Sequence, residues 1–529
     1  MAETEDQKLA KASTTVKKAI GIIMVATLLS RLLGFIKQTS MAAIFGSSLQ
    51  TDAFWAAFAI PDLLYLLVSG GAMTAAFIPI FTEFITSGRK EEGWRFASTV
   101  WNQIAIFLIV FIAFGEVFAD FIILLLPGFR NNHEALAYGV VFVRLLYPMV
   151  FFTALAAMCN GILHSHNHFT APSASWLIYN ICFIAACFIF RHTLGLRGVC
   201  IGVVFGALSM VLVQLPVMRA KGMRYSFVID SKNPDVKRYW KLFLPVMLGM
   251  SLAQINLMIT PTIFGSLVGT GAITSLNYAN RMMFIPLGMF GSAISMAVFP
   301  TMSRMAAEGD FRNLERALAR GVRATFIFSL PCSAFFIVAG ILCIRLVFGY
   351  GKFTFENCQA TAFALTFYSI GLMGHSANQV INRGFYARKD SITPVITGII
   401  ALTITAPLSW FLIKTPLRHG GIALAISIAT LFDMILLIIL AKRKLALDLS
   451  SVLPMFLKTL FASAVMGAAG WFVLQKINIG PDRFGFKLSL EAFAAVCAVS
   501  GIVFAALAKI LKIEEFDEML GMVIRKFKR

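Results

Sequence analysis

The chain has 529 residues, 58% of them hydrophobic and only 14% charged, and its mean hydropathy is +0.81. A water-soluble fold of this size has too little interior for so much apolar side chain, which excludes the soluble classes and leaves a polytopic membrane protein. The net charge of +20 is not a nucleic-acid signature, because Lys and Arg fall in short clusters between apolar runs; no nucleic-acid partner is expected.

The N-terminus, MAETEDQKLAKASTTVKK, is acidic and then basic. It is unlike a cleaved signal peptide, and the apolar segment behind it runs too long for a signal core, so it reads as a retained first span. A span takes roughly 20 apolar residues. About fourteen candidates follow in order, centred near residues 28, 67, 106, 147, 180, 207, 252, 290, 332, 372, 401, 430, 463 and 500. Pro61, Pro148, Pro245, Pro286, Pro331 and Pro394 fall inside them and predict kinks or breaks.

With the N-terminus inside, the loops after even-numbered spans are cytoplasmic: 88–95, 218–224 with 232–241, 311–323, 388–390 and 442–444. They hold about 20 Lys and Arg, and the opposite loops about half that, as the positive-inside rule requires. An even number of spans puts the C-terminus inside too, where VIRKFKR (523–529) would meet anionic lipid. The stretch from Asp310 reads as an amphipathic extension with Asp310 as N-cap.

An internal repeat sets the architecture. IFGSSLQTDA (44–53) and IFGSLVGTGA (263–272) share six of ten residues, and an even number of spans separates them, so both copies have one orientation. Parallel repeats imply two lobes with a substrate site between them near the midplane. The expectation is an all-α fold of about fourteen spans, with a first lobe at 1–225, a second at 226–445 and a C-terminal helix pair with a basic tail at 446–529. Neither GxxxxGK[ST] nor HExxH is present, so an ATP-driven pump is not expected, nor is a catalytic residue, metal or cofactor. The eight cysteines are scattered without a CxxC pair and read as small buried hydrophobes.

The first span, LLSRLLGFIKQTS (28–40), carries Arg31 and Lys37. At ~100° per residue, Arg31, Gln38, Thr27, Gly34, Ser30 and Lys37 fall in one arc of about 120°. Such a stripe has to face protein or a water-filled cavity; the alternatives are snorkelling to the headgroups or a structural ion pair. In the second span Asp62, Tyr65 and Ser69 share a face, and in the matching span of the other lobe so do Asn277, Asn280 and Arg281. A cavity lined by Arg31, Lys37 and Arg281 attracts an anion, and the arginine fork suits phosphate. Asp52 reads as a helix N-cap ahead of an ion site. Arg144 and Arg383 either line the cavity or pair internally. His375 reads as a hydrogen-bonded helix histidine, and HSHNH (164–168) as a polar turn ahead of a metal site. Asp433 and Lys458 either pair or mark a separate site.

The run SRLLGFIKQTSMAAIFGSSLQTDAFWAAFAIPDLL…GAMTAAFIPIFTEF (30–84), with NYANRMMFIPLGMFG (277–291), YGKFT (350–354) and GFYARKDSITPV (384–395), resembles the lipid II flippase family (MurJ, also called MviN) of the MOP exporter superfamily. The resemblance covers essentially the whole chain. It implies a two-lobed, non-enzymatic transporter of the bacterial cytoplasmic (inner) membrane with both termini cytoplasmic. Its central cationic cavity would hold the diphosphate and sugar-peptide of an undecaprenyl-linked precursor, with the last two spans grooved for the lipid tail. Alternating access would be assisted by a monovalent ion or the membrane potential. Membrane lipids and the cell-wall synthesis machinery are the implied partners. Arg31 and Arg281 match family cavity arginines and Asp52 a family acid; Lys37 stands where the family usually has arginine. Four positions depart: Gln38, Gly70 and Phe284 replace acids, and Tyr65 replaces an arginine. The competing readings are a flippase for another polyprenyl-diphosphate glycan, a multidrug exporter, whose cationic substrates require an anionic cavity, and a non-transporting scaffold.

Overall fold

The structure, a computed structural model, describes residues 29–67, 73–477, 480 and 485–517. The expected start of the first span with Thr27 and Leu28, the positions Ser69, Gly70 and Gly71, and the basic tail 523–529 lie outside the described residues. Among the described residues every regular element is helical. The chain divides into two compact units, Met1–Gln254 and Ile255–Arg529.

The first unit contains α1 (29–45), α2 (Leu49–Leu67), α3 (Met73–Thr86), α4 (Lys90–Val117), the short α5 (Ala119–Leu124), α6 (His133–Leu146), α7 (Pro148–Ser165), α8 (Thr170–Ile189), α9 (Leu196–Ala220) and α10 (Pro234–Gln254). Proline explains one of its breaks: Pro148 opens α7, a position where its missing N–H costs nothing, so the fourth span is two helices end to end. Packing rests on close approach and on rings. A Cβ on Gly202 would lie 2.1 Å from the Ala186 Cβ, so only glycine lets α9 press this tightly on α8; in lipid such van der Waals contact replaces the hydrophobic drive. Phe54 of α2 meets Phe58, Phe142 and Phe183. At another part of the unit, Phe77, Phe81, Phe96 and Tyr239 join α3, α4 and α10. The extended connector 223–230 is strapped to α4, where Asn102 Nδ2 donates to the carbonyls of Ser226 and Val228 at 3.1 and 3.0 Å.

The second unit begins with a π turn, Ile255–Ile259, and continues through α11 (Thr260–Ser266), α12 (Ala272–Pro286), a second π turn (Leu287–Gly291), α13 (Ser292–Ala307), α14 (Phe311–Phe348), α15 (Phe355–Ala387), α16 (Ile392–Leu412), α17 (Arg418–Lys444), α18 (Leu449–Ile477) and α19 (Phe486–Ile510). α14, α15 and α17 share a core with Leu318, Phe326, Ile381, Phe385 and Leu437. Asp310 is the N-cap of α14: its side chain accepts from the Asn313 N–H at 3.1 Å, as expected, and its carboxyl is held below the ordinary value by the Asn313 side-chain and backbone donors.

Ten helices among the described residues are long and apolar enough to cross a membrane. They coincide with ten of the fourteen expected centres, and the protein is a multi-pass membrane protein. The other four centres, near 28, 67, 252 and 372, fall on α1, the α2–α3 pair, α10–α11 and α15; α10 and α11 are separated by a π turn. The boundary between units lies at 254/255, and α10 packs on α3, α2 and α4. The C-terminal pair α18–α19 packs against α14 and belongs to the second unit.

The α8–α9 crossing yields a direct test. Gly202→Val should destabilise the protein by roughly 1–3 kcal/mol through overpacking, read as a lower thermal midpoint in detergent. Gly501→Ala, where an added Cβ meets nothing within 4 Å, should leave it unchanged.

Candidate functional site

The polar stripe of the first span lies on α1, but its members occupy different environments. Arg31 is exposed, Gly34 has no neighbour within 4 Å of an added Cβ, Lys37 is half-buried and Gln38 is only 6% exposed. The apolar Leu29, Leu32 and Ile36 are exposed as well. α1 therefore enters the packed interior only toward its C-terminal half, where Gln38, Ser40, Met41 and Ala42 are buried.

Lys37 is held by rings. Its ammonium lies 5.5 Å from the centroid of Tyr179 and 5.2 Å from that of Phe183, both on α8. Each desolvated cation–π contact contributes on the order of 1–2 kcal/mol, which offsets part of the cost of a charge at membrane depth. Tyr65 reaches the same group from α2: its ring meets Trp176 edge-on at 5.0 Å, and Trp176 meets Tyr179 at 6.2 Å. The structure thus brings Lys37 and Tyr65 together through three α8 aromatics that the sequence reading missed. Their signal is visible: Trp176, Tyr179 and Phe183 recur at helical spacing in SASWLIYNICFI.

Asp52 is not the N-cap of α2. Ser48 holds that place: Thr51 Oγ1 accepts from the Ser48 N–H at 2.7 Å, and Ser48 Oγ accepts from the Thr51 N–H at 3.3 Å. The turn closes one residue after Gly46 and Ser47, earlier than the Thr-Asp pair suggests, and leaves Asp52 inside the first helical turn with 1% exposure. Asp62 is half-buried on α2.

In the second unit α12 carries Asn277, Asn280 and Arg281. Arg281 and Phe284 are exposed, and both asparagines are half-buried. Asn280 Nδ2 donates to the Leu257 carbonyl at 3.1 Å. That carbonyl belongs to the first π turn, where the helical ladder is broken, so the amide stands in for a lost backbone donor. Gln38 Oε1, Asn277 Oδ1 and Asn280 Oδ1 are buried acceptors without a hydrogen-bond partner among the described residues.

The remaining candidates serve their own surroundings. Arg144 pairs with Asp120 at 3.5 Å. Arg383 lays its guanidinium on Phe299 at 5.0 Å and donates to Ser295 Oγ at 3.4 Å, bracing α15 on α13. His375 meets Thr430 Oγ1 at 3.4 Å. Asp433 accepts from Asn378 Nδ2 at 2.8 Å and not from Lys458, which is exposed. HSHNH forms a turn with Asn167 at φ 55°. The motif 384–395 is an end-of-helix device: Asp390 accepts from the Thr393 N–H and hydroxyl at 3.0 and 2.6 Å and pairs with Lys444 at 3.0 Å. Burial would raise the Asp390 carboxyl, but these donors and the ammonium hold it below the ordinary value. In YGKFT, Phe353 packs edge-on to Tyr278 of the 277–291 motif at 5.7 Å, and Thr354 caps α15.

Two helical membrane units that share a sequence repeat, with an exposed arginine on a helix of each, define a polytopic all-α membrane protein, and its fold is also that of a solved MOP superfamily member. A solved inward-facing multidrug resistance MATE family transporter of that superfamily matches 81% of this chain and 98% of its own, with a TM-score of 0.65 at 16% identity. The chain belongs to the lipid II flippase MurJ family, whose sequence profile matches residues 41–481. It is 30% identical over 490 residues to the lipid II flippase MurJ of Burkholderia cenocepacia, covering 91% of this chain and 94% of that one. It is 32% identical over 418 residues to a probable lipid II flippase MurJ of Buchnera aphidicola subsp. Acyrthosiphon pisum, covering 78% and 81%. A solved structure of a lipid II flippase MurJ in an inward closed conformation matches 92% of this chain and 99% of its own, with a TM-score of 0.76 and 26% identity.

The role of Asn280 can be measured directly. Asn280→Ala, which removes the donor to Leu257, should cost on the order of 1 kcal/mol or somewhat more, seen as a lower thermal midpoint in detergent. Asn277→Ala, which removes no such donor contact among the described residues, should cost less.

Proposed function

We infer that this chain is a lipid II flippase, moving the undecaprenyl-diphosphate-linked precursor of peptidoglycan from the cytoplasmic to the outer leaflet. The family match across residues 41–481 carries this reading. In the same reading both termini are cytoplasmic, the protein lies in the bacterial inner membrane, and it works with the cell-wall synthesis machinery without chemistry of its own.

We propose that Arg31, Lys37 and Arg281 hold the diphosphate. The arginines supply planar forks matched to phosphate oxygens, and Lys37 supplies a point charge pre-positioned by Tyr179 and Phe183. The free acceptors of Gln38, Asn277 and Asn280 suit the hydroxyl and amide donors of a sugar-peptide head group, with Tyr65, Asp52 and Asp62 shaping the same region of the first unit. Arg144 and Arg383, whose contacts lie within their own units, are left out of this proposal. Coupling to the membrane potential follows from substrate charge: one elementary charge crossing 100 mV is worth about 2.3 kcal/mol, so an inside-negative potential favours outward movement of an anionic diphosphate. Coupling to a monovalent ion would add to that drive.

The test is complementation of a bacterium depleted of its own lipid II flippase. Wild-type protein should restore growth and release lipid II from the inner leaflet. Arg31→Ala and Arg281→Ala should each impair rescue at normal membrane levels, and Lys37→Arg should be tolerated. Rescue by both alanine variants at the wild-type rate would remove the cationic-site proposal. Failure of the wild type, with loss of a different surface polymer in the native host when the gene is deleted, would favour another polyprenyl-diphosphate glycan as cargo.

A further inference from the structure

At one end of the first unit, the turns before α4, between α7 and α8, and after α9 enclose a small pocket of about 50 Å³. Its wall comprises Phe81, Phe84 and Trp94, with the basic side chains Lys90, His166 and Lys221. No carboxylate is among the lining residues. The nearby acids are committed elsewhere: Glu83 binds Arg238 through two contacts of 2.8 and 3.0 Å, Glu91 pairs with Arg224, and Glu92 pairs with Arg89 at 3.3 Å. Lys90 and Lys221 have no ion-pair partner among the described residues. The His166 ring is fixed between Trp94, stacked at 6.4 Å, and the edge of Phe81, at 6.0 Å. Its Nε2 is buried without a hydrogen-bond partner among the described residues. Burial, then the charges of Lys221 and Lys90, push this imidazole below its ordinary value, the mark of a concave site at positive potential. Two lysines and a buried ring nitrogen line an aromatic-walled pocket whose neighbouring acids are already paired, a set of donors suited to an anion.

We propose that this pocket binds a phosphate group, held by Lys90 and Lys221 against the His166 ring. It is separate from the proposed diphosphate site on α1 and α12, and it does not depend on the flippase reading. The three turns come from stretches far apart in sequence, and a bound phosphate would tie them together. By the distribution of Lys and Arg this end is the cytoplasmic one, where acidic lipid headgroups and soluble phosphate esters both supply the chemistry.

The experiment uses the purified full chain in neutral detergent, with short-chain phosphatidylglycerol, phosphatidylcholine or glycerol 1-phosphate as probes. Bound ligand is counted by native mass spectrometry, and the thermal midpoint is followed in parallel. Phosphatidylglycerol should bind and raise the midpoint, and phosphatidylcholine should not. Lys90→Gln/Lys221→Gln should weaken phosphatidylglycerol about ten-fold or more, and Lys90→Arg/Lys221→Arg should retain it. Glycerol 1-phosphate binding with the same lysine dependence would identify soluble phosphate esters as a sufficient source. Its failure beside lipid binding would identify the lipid. Because Lys221 is exposed, Lys221→Gln alone serves if the double variant does not fold. Phosphatidylglycerol binding unchanged in the glutamine variants, or no binding of either phosphate probe, would overturn the proposal.

Discussion

In a bilayer a polar group has no water to fall back on, so each one must find its partner inside the protein. That constraint governs this structure from the backbone outward. Many threonine hydroxyls inside the spans return to carbonyls of their own helix, as Thr405 does to Ala401 and Thr459 to Met455 at 2.8 and 2.9 Å. Where the ladder itself breaks, a side chain from another helix substitutes, as Asn280 does at the first π turn. Charges follow the same logic with stronger partners. Lys37 is held by two rings and Arg383 by a ring and a hydroxyl. Near the C-terminus, Arg323 of α14 lies 2.7 Å from Glu515, with both side chains largely shielded from solvent. The N–H and the oxygen there are out of hydrogen-bond alignment, so the contact is chiefly coulombic.

The two copies of the repeat show how one sequence signal can serve two local structures. In the first copy Gly46 takes φ 66° directly after α1, and the Ser48–Thr51 pair starts α2 at Leu49. In the second copy the equivalent Gly265 is still helical, and the reversal waits for Gly269 and Gly271 at φ 128° and 86°. No side chain caps α12 there, because its N-cap, Gly271, has none. The shared Ile-Phe-Gly-Ser therefore preserves the packing of a helix end, while the residues that differ decide where the chain turns. A six-in-ten match was enough to reveal duplication, and too little to carry residue roles from one unit to the other.

The parts of the fold legible in the sequence were those carried by long-range composition: ten apolar spans, the repeat, the Asp310 cap and the break at Pro148. The packing of α10 was not legible. α10 reads as the first span of a second lobe, yet its Tyr239 belongs to the Phe77 and Phe96 cluster, and a tertiary ring contact leaves no periodicity in either segment. At the candidate site, the helical wheel grouped Arg31, Lys37 and Gln38 by angle. It could not separate them by depth, because burial depends on how far α1 leans into its neighbours. The aromatic support of Lys37 was available as an i, i+3, i+7 pattern on α8, but such stripes are usually core and one sequence cannot tell the two apart. Asp52 was misread as a cap because its own spacing fits; the Ser48–Thr51 pair fits as well and lies nearer the turn.

Gln38 joins these strands. The family resemblance implies an acid there, beside an arginine where this chain has Lys37. An aspartate at 6% exposure would need that neighbouring cation as its partner, and the pair would then be neutral toward a substrate. The glutamine amide removes this demand and keeps an acceptor at the same place, while the rings of Tyr179 and Phe183 take over part of the acid's task of making a cation tolerable at depth. The substitution of arginine by lysine fits the same change, since a compact ammonium sits over a ring without needing a fork-shaped acceptor. At 37 and 38 this chain therefore combines an amide with a cation that two rings support.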